Sequence, residues 1–197
     1  PRHNIILSKI EPGEYIHFNV ESAIIKVILT VPNEFLPNQL QIDFNTNGCN
    51  LDKSGSVHIW PIQCRLANVR HTKPIIIGIY KGSSKPHDPN AFFEKFVIDM
   101  KKILVNRGVI FKEKKLPVSL RCFIADAPAR AFILYHRSHT SYQPCSKCKI
   151  SGVLYEGRYV FCDITHPLPT DEEYVTLLDD DHHKDGKSPL SLLLMGM

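Results

Sequence analysis

Alternation of apolar and polar residues predicts strands in the middle of the chain. Residues 40–46 alternate in this way and end at a turn over 47–48. We expect a second strand over 57–62, ended at or soon after Pro61, and a third over 74–80. The third strand is apolar on both faces, so it is predicted to lie in the centre of the sheet.

A helical period replaces the alternation after residue 88. Asp88 is a good N-cap, Pro89 suits the first helical position, and Gly108 is expected to end the helix. The intervening apolar residues fall on one stripe, namely Phe92, Phe93, Phe96, Val97, Met100, Ile103 and Leu104. Residues 118–125 then alternate as a fourth strand, and a second helix is expected from Ala127.

The order strand, strand, strand, helix, strand, helix predicts a mixed α/β sheet. Three strands joined by short links favour an antiparallel meander, and the long helix permits a right-handed crossover that places the fourth strand parallel to the first. This is the opening half of an RNase H-like fold. We expect residues 36–135 to form it, after an N-terminal flanking segment, 1–35, whose pattern is weak: it suggests a strand over 14–20 and a helix or strand over 22–29.

Composition restricts the class of protein. With 43% hydrophobic and 22% charged residues, the chain has the balance of a folded domain, and no apolar stretch approaches the roughly 18 residues that span a bilayer. We therefore predict that it is not an integral membrane protein. Because it starts at Pro1 and finishes on apolar residues, we expect a fragment, with 191–197 as the truncated start of another element.

Positive charge is concentrated in the middle of the chain. Residues 101–158 hold twelve Lys or Arg against three acidic residues, although the net charge of the whole chain is only +4. Such a block is either a solvated face or a nucleic-acid contact. The candidate DNA-binding residues flank the fourth strand in sequence: Lys112, Lys114, Lys115, Arg130, Arg137, Lys147 and Lys149.

Two polar residues follow the strands that are expected to be parallel neighbours. Asn47 follows the first and Asp126 the fourth, where paired acids can hold two divalent ions for phosphoryl transfer. Asn47 offers only an amide, and Asp43 lies about 13 Å earlier along the strand. Asp126 has an alternative role as the N-cap of the helix from Ala127.

A succession of short motifs resembles transposases of the CACTA (En/Spm) type and related animal transposon proteins. The motifs span about residues 40 to 190, in the order Asp43-Phe44-Asn45-Thr46-Asn47-Gly48, Lys53-Ser54, Trp60-Pro61-Ile62, Gly78-Ile79-Tyr80-Lys81-Gly82, Lys85-Pro86, Ala125-Asp126-Ala127-Pro128-Ala129-Arg130-Ala131, Cys145-Ser146-Lys147-Cys148, His182-His183 and Ser188-Pro189-Leu190. The resemblance implies a nuclear protein with an RNase H-like core, whose acidic (DDE) triad cuts and joins DNA with Mg²⁺.

The chain departs from that family's pattern at the first acid. Asp-Gly is usual where this sequence has Asn47-Gly48, whereas Asp126 matches the second acid. The third acid, a Glu, would lie beyond Met197, so the core is expected to be truncated before its last catalytic helix. Mg²⁺ is the ion of the parent family, but an amide at Asn47 weakens the case for it here.

The cysteines point to a second metal. Cys145 and Cys148 have zinc-knuckle spacing, and a structural Zn²⁺ takes four ligands. The remaining candidates are His136, His139, Cys162, His166, His182 and His183. The resemblance favours His182 or His183, with His139 next, and makes 136–190 a zinc-knuckle insertion with an acidic loop. A reduced pair without metal is the alternative.

Two related functions are compatible with this sequence, and an unrelated zinc-binding interaction protein, which would have no Mg²⁺ site at Asp126, is a third. The first is a transposase-like fragment, related to cut-and-paste DNA transposition and inactive as it stands, which oligomerises in its full-length form. The alternative is a non-enzymatic, transposon-derived zinc module that binds DNA or a protein partner. Asn47 favours the alternative because an amide cannot balance the charge of two divalent cations.

Overall fold

The computed structural model describes residues 6–53, 55–138, 140–145, 147–162, 165–168, 170–176 and 182–194. The chain divides into two compact units, residues 1–125 with 192–197, and residues 126–191. The helices are α1 (Val20–Ile28), α2 (Pro89–Val105), α3 (Ala127–Ile133), α4 (Asp171–Thr176) and α5 (Ser191–Leu194). The strands are β1 (Leu7–Ile10), β2 (Gly13–His17), β3 (Leu40–Thr46), β4 (Cys49–Asn50), β5 (His58–Leu66), β6 (Ile75–Gly82), β7 (Val109–Phe111), β8 (Lys114–Leu116), β9 (Val118–Ile124), β10 (Val153–Tyr155) and β11 (Arg158–Val160).

The first unit is built on a mixed sheet of mostly antiparallel strands. Its order is β1-β2-β6-β5-β3-β9, with the short β4 paired to β5. Strands β3, β5 and β6 form the predicted antiparallel meander, and β9 pairs parallel to β3 after the α2 connection. The prediction of a mixed α/β sheet with one parallel pair is therefore confirmed.

Helix α2 forms where its capping signals predict. Asp88 accepts hydrogen bonds from the backbone N–H groups of Asn90 and Ala91, and Pro89 occupies the first turn. Past the last turn, Gly108 adopts φ +130°, and a Cβ there would lie 2.2 Å from the Leu116 carbonyl oxygen. This glycine allows the chain to leave α2 and enter the β7–β8 hairpin.

The apolar stripe of α2 packs on the sheet and forms the core. The rings of Phe92 and Tyr15 lie 5.8 Å apart, and those of Phe96 and Phe44 lie 5.1 Å apart. Phe92, Phe93 and Phe96 are completely buried. Burial of each side chain contributes about 1.5–3 kcal/mol relative to an exposed position, so this helix fixes the sheet from one face.

Strand β5 is longer than predicted because proline does not end it. Pro61 lies opposite Ile79 of β6. On the other side of β5, Ile62 is paired with the last residue of β3 and Ile59 with the first residue of β4. Pro61 therefore falls opposite the break between β3 and β4, where a missing N–H group interrupts no ladder.

Residues before 36 do more than flank the core. The weak pattern there becomes β1, β2 and α1, and β2 pairs with β6. Asn19 caps α1 by accepting a hydrogen bond from the Ser22 N–H group. Although the sequence suggested a strand as far as residue 20, β2 ends at His17 and the helix begins at Val20.

The second unit contains α3, the β10–β11 hairpin and α4. An isolated antiparallel bridge joins His136 to His183, which are far apart in sequence. Within the described ranges, no helix combines the length and the apolar character needed to cross a membrane.

Candidate functional site

The carboxyl ends of β3 and β9 lie side by side. The parallel register places Asn45 opposite Ile124, and the Asn45 side-chain amide donates a 2.8 Å hydrogen bond to the Ile124 carbonyl oxygen. Asn47 follows β3 by one residue, and Asp126 follows β9 by two. The prediction that these two strands are parallel neighbours is confirmed.

The turn after β3 is shaped by Trp60. A Cβ on Gly48 would lie 2.5 Å from Cε2 of the buried indole, so a side chain at this position would displace Trp60. Asn47 is half-buried beside this turn. Packing against Trp60 therefore requires glycine at position 48, and this requirement does not depend on the residue at position 47.

The other carboxylates near β3 already have structural partners. Asp43 is buried and receives two hydrogen bonds from Arg121, with Nε to Oδ1 at 2.7 Å, and a third from the Cys122 thiol. Arg121 lowers the pKa of Asp43 below its usual range. Asp52 accepts hydrogen bonds from the Ser56 hydroxyl and the Val57 N–H group, which closes the turn before β5. Neither carboxylate is therefore placed to replace an acid at position 47.

Asp126 is the N-cap of α3. Its carboxylate accepts a 2.8 Å hydrogen bond from the Ala129 N–H group, and Pro128 lies in the first turn. The structure thus gives Asp126 the capping role that the sequence offered as its alternative. One capping carboxylate and the amide of Asn47 do not supply the charge that a pair of Mg²⁺ ions requires, so these residues do not fit that cofactor.

A cluster of three buried histidines is the strongest candidate metal centre among the described residues. The ligand atoms of His136, His182 and His183 all lie within 4.8 Å of one another, and the three residues are 2%, 8% and 7% exposed. The ring centroids of His136 and His182 are 4.2 Å apart. Three imidazoles at this spacing could hold one transition-metal ion, and Zn²⁺ is a common ion in such nitrogen sites.

Two short segments bring these histidines together. Helix α3 ends at Ile133, and Tyr135 adopts φ 56°, which turns the chain so that His136 faces the segment 182–184. The Arg137 N–H group donates to the His182 carbonyl, and the Lys184 N–H group donates to the Tyr135 carbonyl. These two hydrogen bonds hold residues 135–137 and 182–184 side by side, which brings the three histidines together.

The environment keeps the cluster able to bind a cation. Burial, followed by the nearby His182 and His183, lowers the pKa of His136 to about 3, so its imidazole is neutral at pH 7. His182 Nδ1 lies 3.2 Å from the Gln143 carbonyl oxygen. A hydrogen bond from Nδ1 to this oxygen would leave the lone pair on Nε2, the arrangement found in many metal-binding histidines.

The cysteine pair forms a tight loop of its own. The thiols of Cys145 and Cys148 are hydrogen-bonded, and the Lys147 N–H group donates to Cys145 Sγ at 3.4 Å. Despite partial burial, hydrogen bonds from Lys147 and Cys148 lower the pKa of Cys145. In the part of the chain that is described, the structure brings His182 and His183 together with His136 and does not include Cys145 or Cys148 in that cluster.

The other candidate ligands have separate positions. Cys162 is exposed, and His166 is half-buried, with its Nε2 without a hydrogen-bond partner among the described residues. His139 lies outside the described residues. His136 was one of six open candidates in the sequence. Its pairing with residue 183 depends on a contact between distant segments, which no local spacing reveals.

The predicted DNA-binding lysines of the β7–β8 hairpin lie before β9. Lys112, Lys114 and Lys115 are exposed, and Lys112 Nζ lies 3.0 Å from Asn33 Oδ1. They precede the amino end of β9, whereas Asp126 follows its carboxyl end. The seven residues of β9 separate the two positions by about 23 Å along the strand. Within the first unit, these lysines therefore lie at the opposite end of β9 from Ile124.

The basic residues of the second unit differ in exposure. Arg137 and Lys147 are exposed, whereas Arg130 is half-buried on α3. Lys149 forms an ion pair with Glu173, and this pair lowers the pKa of Glu173 to about 2. Arg137 and Lys147 are consequently better placed than Lys149 to contact an anionic ligand.

Comparisons with protein-family models, with curated proteins and with solved structures find no match to this chain.

Proposed function

We propose that the chain is a transposase-like fragment, related to cut-and-paste DNA transposition, that binds DNA without cutting it. The observation that carries this proposal is the parallel β3–β9 pair within an otherwise antiparallel sheet, with the turns that hold Asn47 and Asp126 directly after the two strands. An RNase H-like core begins in this way. The order of the motifs that resemble CACTA transposases supports the same reading.

Loss of cleavage follows from the residues at the strand ends. Asn47 supplies no charge, Asp126 is engaged as a helix cap, and Asp43 is bound by Arg121. Such a set does not hold a pair of Mg²⁺ ions, so the proposal includes no catalytic step.

The second unit contributes a structural metal site in this proposal. His136, His182 and His183 would hold Zn²⁺, and a bound ion would stabilise the bridge between α3 and the segment 182–184. Cys145 or Cys148 is the proposed source of a fourth ligand, because the Gln143 carbonyl oxygen, two residues before Cys145 in sequence, lies 3.2 Å from His182 Nδ1. This version keeps the zinc insertion expected from the sequence and adds His136 to it.

The basic residues are the proposed DNA contact. Lys112, Lys114 and Lys115 on the hairpin, together with Arg137 and Lys147 in the second unit, are exposed. Their charges would bind phosphates without reading sequence, so the protein would be a nuclear DNA-binding protein of low specificity. Oligomerisation is proposed only for the full-length protein.

Fluorescence anisotropy with a labelled DNA duplex tests this function. We expect the triple variant Lys112→Glu/Lys114→Glu/Lys115→Glu to bind at least tenfold more weakly than the wild type and to show a shallower dependence on salt. The control Lys53→Glu/Lys81→Glu changes exposed lysines outside the basic block and should have a smaller effect. Equal losses in the two variants would reject a contact through the hairpin.

A non-enzymatic protein-binding module is the second candidate. Its support is the same pair of residues, Asn47 and the capping Asp126, because a module under no catalytic constraint needs no acid at either position. The two candidates are separated by the anisotropy experiment. If the protein does not bind DNA at any salt concentration, the module that binds a protein partner is the better description.

A further inference from the structure

We propose that a groove at the amino end of β3 is a docking site for an acidic, amphipathic peptide segment of a partner protein. The groove lies within the first unit, between the end of α1, the turn at 32–35 and the loop that joins β5 to β6. Its volume is about 1170 Å³, somewhat larger than ordinary small-molecule pockets. It is at the opposite end of the sheet from the turn that holds Asn47.

The charges that line the groove all have the same sign. Lys26, Arg70 and Lys73 are exposed, His71 adds an imidazole, and the lining contains no Asp or Glu. In the described part of the chain, none of these three cations forms an ion pair. An uncompensated set of this kind attracts an anionic ligand and increases its rate of association.

Apolar side chains cover the rest of the lining. Val27 and Val31 form one side, Ile75 and Ile76 another, and Phe35 is 66% exposed at the turn. Ile76 is 45% exposed, and exposed large apolar side chains in one groove are typical of an interaction surface. The ligand must therefore combine carboxylates with apolar side chains, and an amphipathic peptide does so on its two faces.

The loop that carries Arg70 and Lys73 is held in a fixed conformation. Asn68 accepts a hydrogen bond from the Gln41 N–H group and donates one to the Gln39 carbonyl, which ties the loop to the start of β3. The Thr72 hydroxyl contacts the Leu66 and Val69 carbonyls. Between them, His71 adopts φ 59°, an uncommon conformation for a residue other than glycine. A loop fixed in this way costs little ordering entropy when it binds.

The lining favours a peptide over a nucleic acid. Single-stranded DNA binds through several aromatic side chains that stack on successive bases, and here Phe35 is the only Phe, Tyr or Trp in the lining. Aliphatic side chains and prolines cannot stack on bases in that manner, but they pack well against the leucines and valines of a helix or strand. The inference is independent of both the metal site and the DNA contact.

Selection from a library of random dodecapeptides displayed on phage tests the inference with the full chain. We expect the enriched peptides to contain two or more Asp or Glu together with several large apolar residues. Synthetic copies should bind in fluorescence anisotropy, and their affinity should fall as salt is raised from about 50 to 200 mM. If no peptide is enriched, or if neutral and basic peptides dominate, the proposal is wrong.

Charge-reversal variants locate the binding site. Arg70→Glu/Lys73→Glu should weaken the selected peptides at least tenfold, and Phe35→Ser should weaken them by a similar factor. The control Lys53→Glu/Lys81→Glu alters exposed lysines outside the groove and should leave the affinity within twofold. Circular dichroism confirms that each variant is folded. Equal losses in the control and groove variants would overturn the assignment.

Binding of a labelled single-stranded oligonucleotide, dT12, tests whether the groove binds a nucleic acid and not a peptide. We expect any binding of dT12 to be unchanged in Arg70→Glu/Lys73→Glu relative to Lys53→Glu/Lys81→Glu. If this groove variant instead loses dT12 binding while no peptide is selected, the groove belongs to a nucleic acid and the proposal is overturned.

Discussion

At the scale of single residues, the Asp43 carboxylate makes the stability of the β3–β9 pair depend on pH. It is 4% exposed and is held by Arg121 and Cys122. Because Arg121 lowers the folded-state pKa of Asp43, the unfolded chain takes up its proton first as the pH falls. The stability that this carboxylate contributes is therefore present above about pH 4 and is lost as the pH falls through the lowered pKa.

We predict that Asp43→Asn lowers the free energy of unfolding at pH 7 by about 1–2 kcal/mol, a modest value because Arg121 is half-exposed and screened. At about pH 3 the difference from the wild type should shrink, since the unfolded wild-type chain has then taken up a proton that the folded state must release. Urea unfolding at the two pH values measures both quantities. Glu94→Gln, at an exposed position of α2, is the control and should change neither. A difference that is independent of pH would contradict the role given to Asp43.

The histidine cluster gives a second prediction at this scale. Protein purified without added zinc should contain about one equivalent of Zn²⁺ per chain by mass spectrometry of the metal. His136→Gln should lose most of it, because one of three buried ligands is removed. Cys145→Ser should reduce the zinc content if the thiolate is the fourth ligand, and should leave it unchanged if water takes that position.

The control for the metal prediction is His166→Gln, which changes a half-buried histidine outside the cluster. Its zinc content should equal that of the wild type. Full zinc in His136→Gln together with depletion in Cys145→Ser would show that the cysteine pair binds the ion without this cluster.

At the scale of elements, local signals predicted what local interactions decide. Helices α2 and α3 form where they were predicted, because their signals come from neighbouring residues. These signals are the cap at Asp88, the apolar stripe of α2 and the first residues of α3. The end of β5 was predicted wrongly because Pro61 is tolerated only through the break between two neighbouring strands. His136 was left among six candidate ligands because its bridge partner, His183, is 47 residues away in sequence.

Two substitutions at the start of α3 distinguish a helix-capping role of Asp126 from a role as a metal ligand. Asp126→Ala removes the acceptor for the Ala129 N–H group and should lower the free energy of unfolding by about 1 kcal/mol, whereas Asp126→Asn keeps an oxygen and should cost only a few tenths. Chemical denaturation of the three proteins checks this order. If Asp126 acted chiefly as a ligand for a divalent ion, both variants would lose the stabilisation that added Mg²⁺ gives, and neither would differ from the other without the ion.

At the scale of the whole molecule, positive charge is distributed over several surfaces. The hairpin lysines lie at the amino end of β9, the groove cations lie at the amino end of β3, and Arg137 and Lys147 belong to the second unit. Asn33, which contacts Lys112, belongs to the groove turn at 32–35, so the hairpin and the groove rim adjoin. DNA and an acidic peptide would thus compete for the positive charges near this rim. The apolar lining of the groove would favour the peptide, because the peptide also carries apolar side chains.

The final prediction concerns activity, which depends on the strand ends acting together. Two-metal phosphoryl transfer needs carboxylates that offset the charge of both cations, and this chain offers an amide at Asn47 and a helix cap at Asp126. We expect the wild type to bind duplex DNA weakly, to lose affinity steeply as salt rises, and to leave supercoiled plasmid uncut in Mg²⁺ or Mn²⁺.

Asn47→Asp places a carboxylate directly after β3, beside the end of β9, and should tighten Mn²⁺ binding in calorimetry, because it replaces a neutral amide. The variant should still not cleave DNA, since one added carboxylate beside the capping Asp126 does not offset the charge of two divalent cations. Asn47→Gln is the matched control, and its Mn²⁺ affinity should stay at the wild-type level. Cleavage of plasmid by the wild type, abolished by Asp126→Ala but not by His136→Gln, would show that the chain assembles a working site from other carboxylates. In that case the Asp43–Arg121 pair would have to open to supply one.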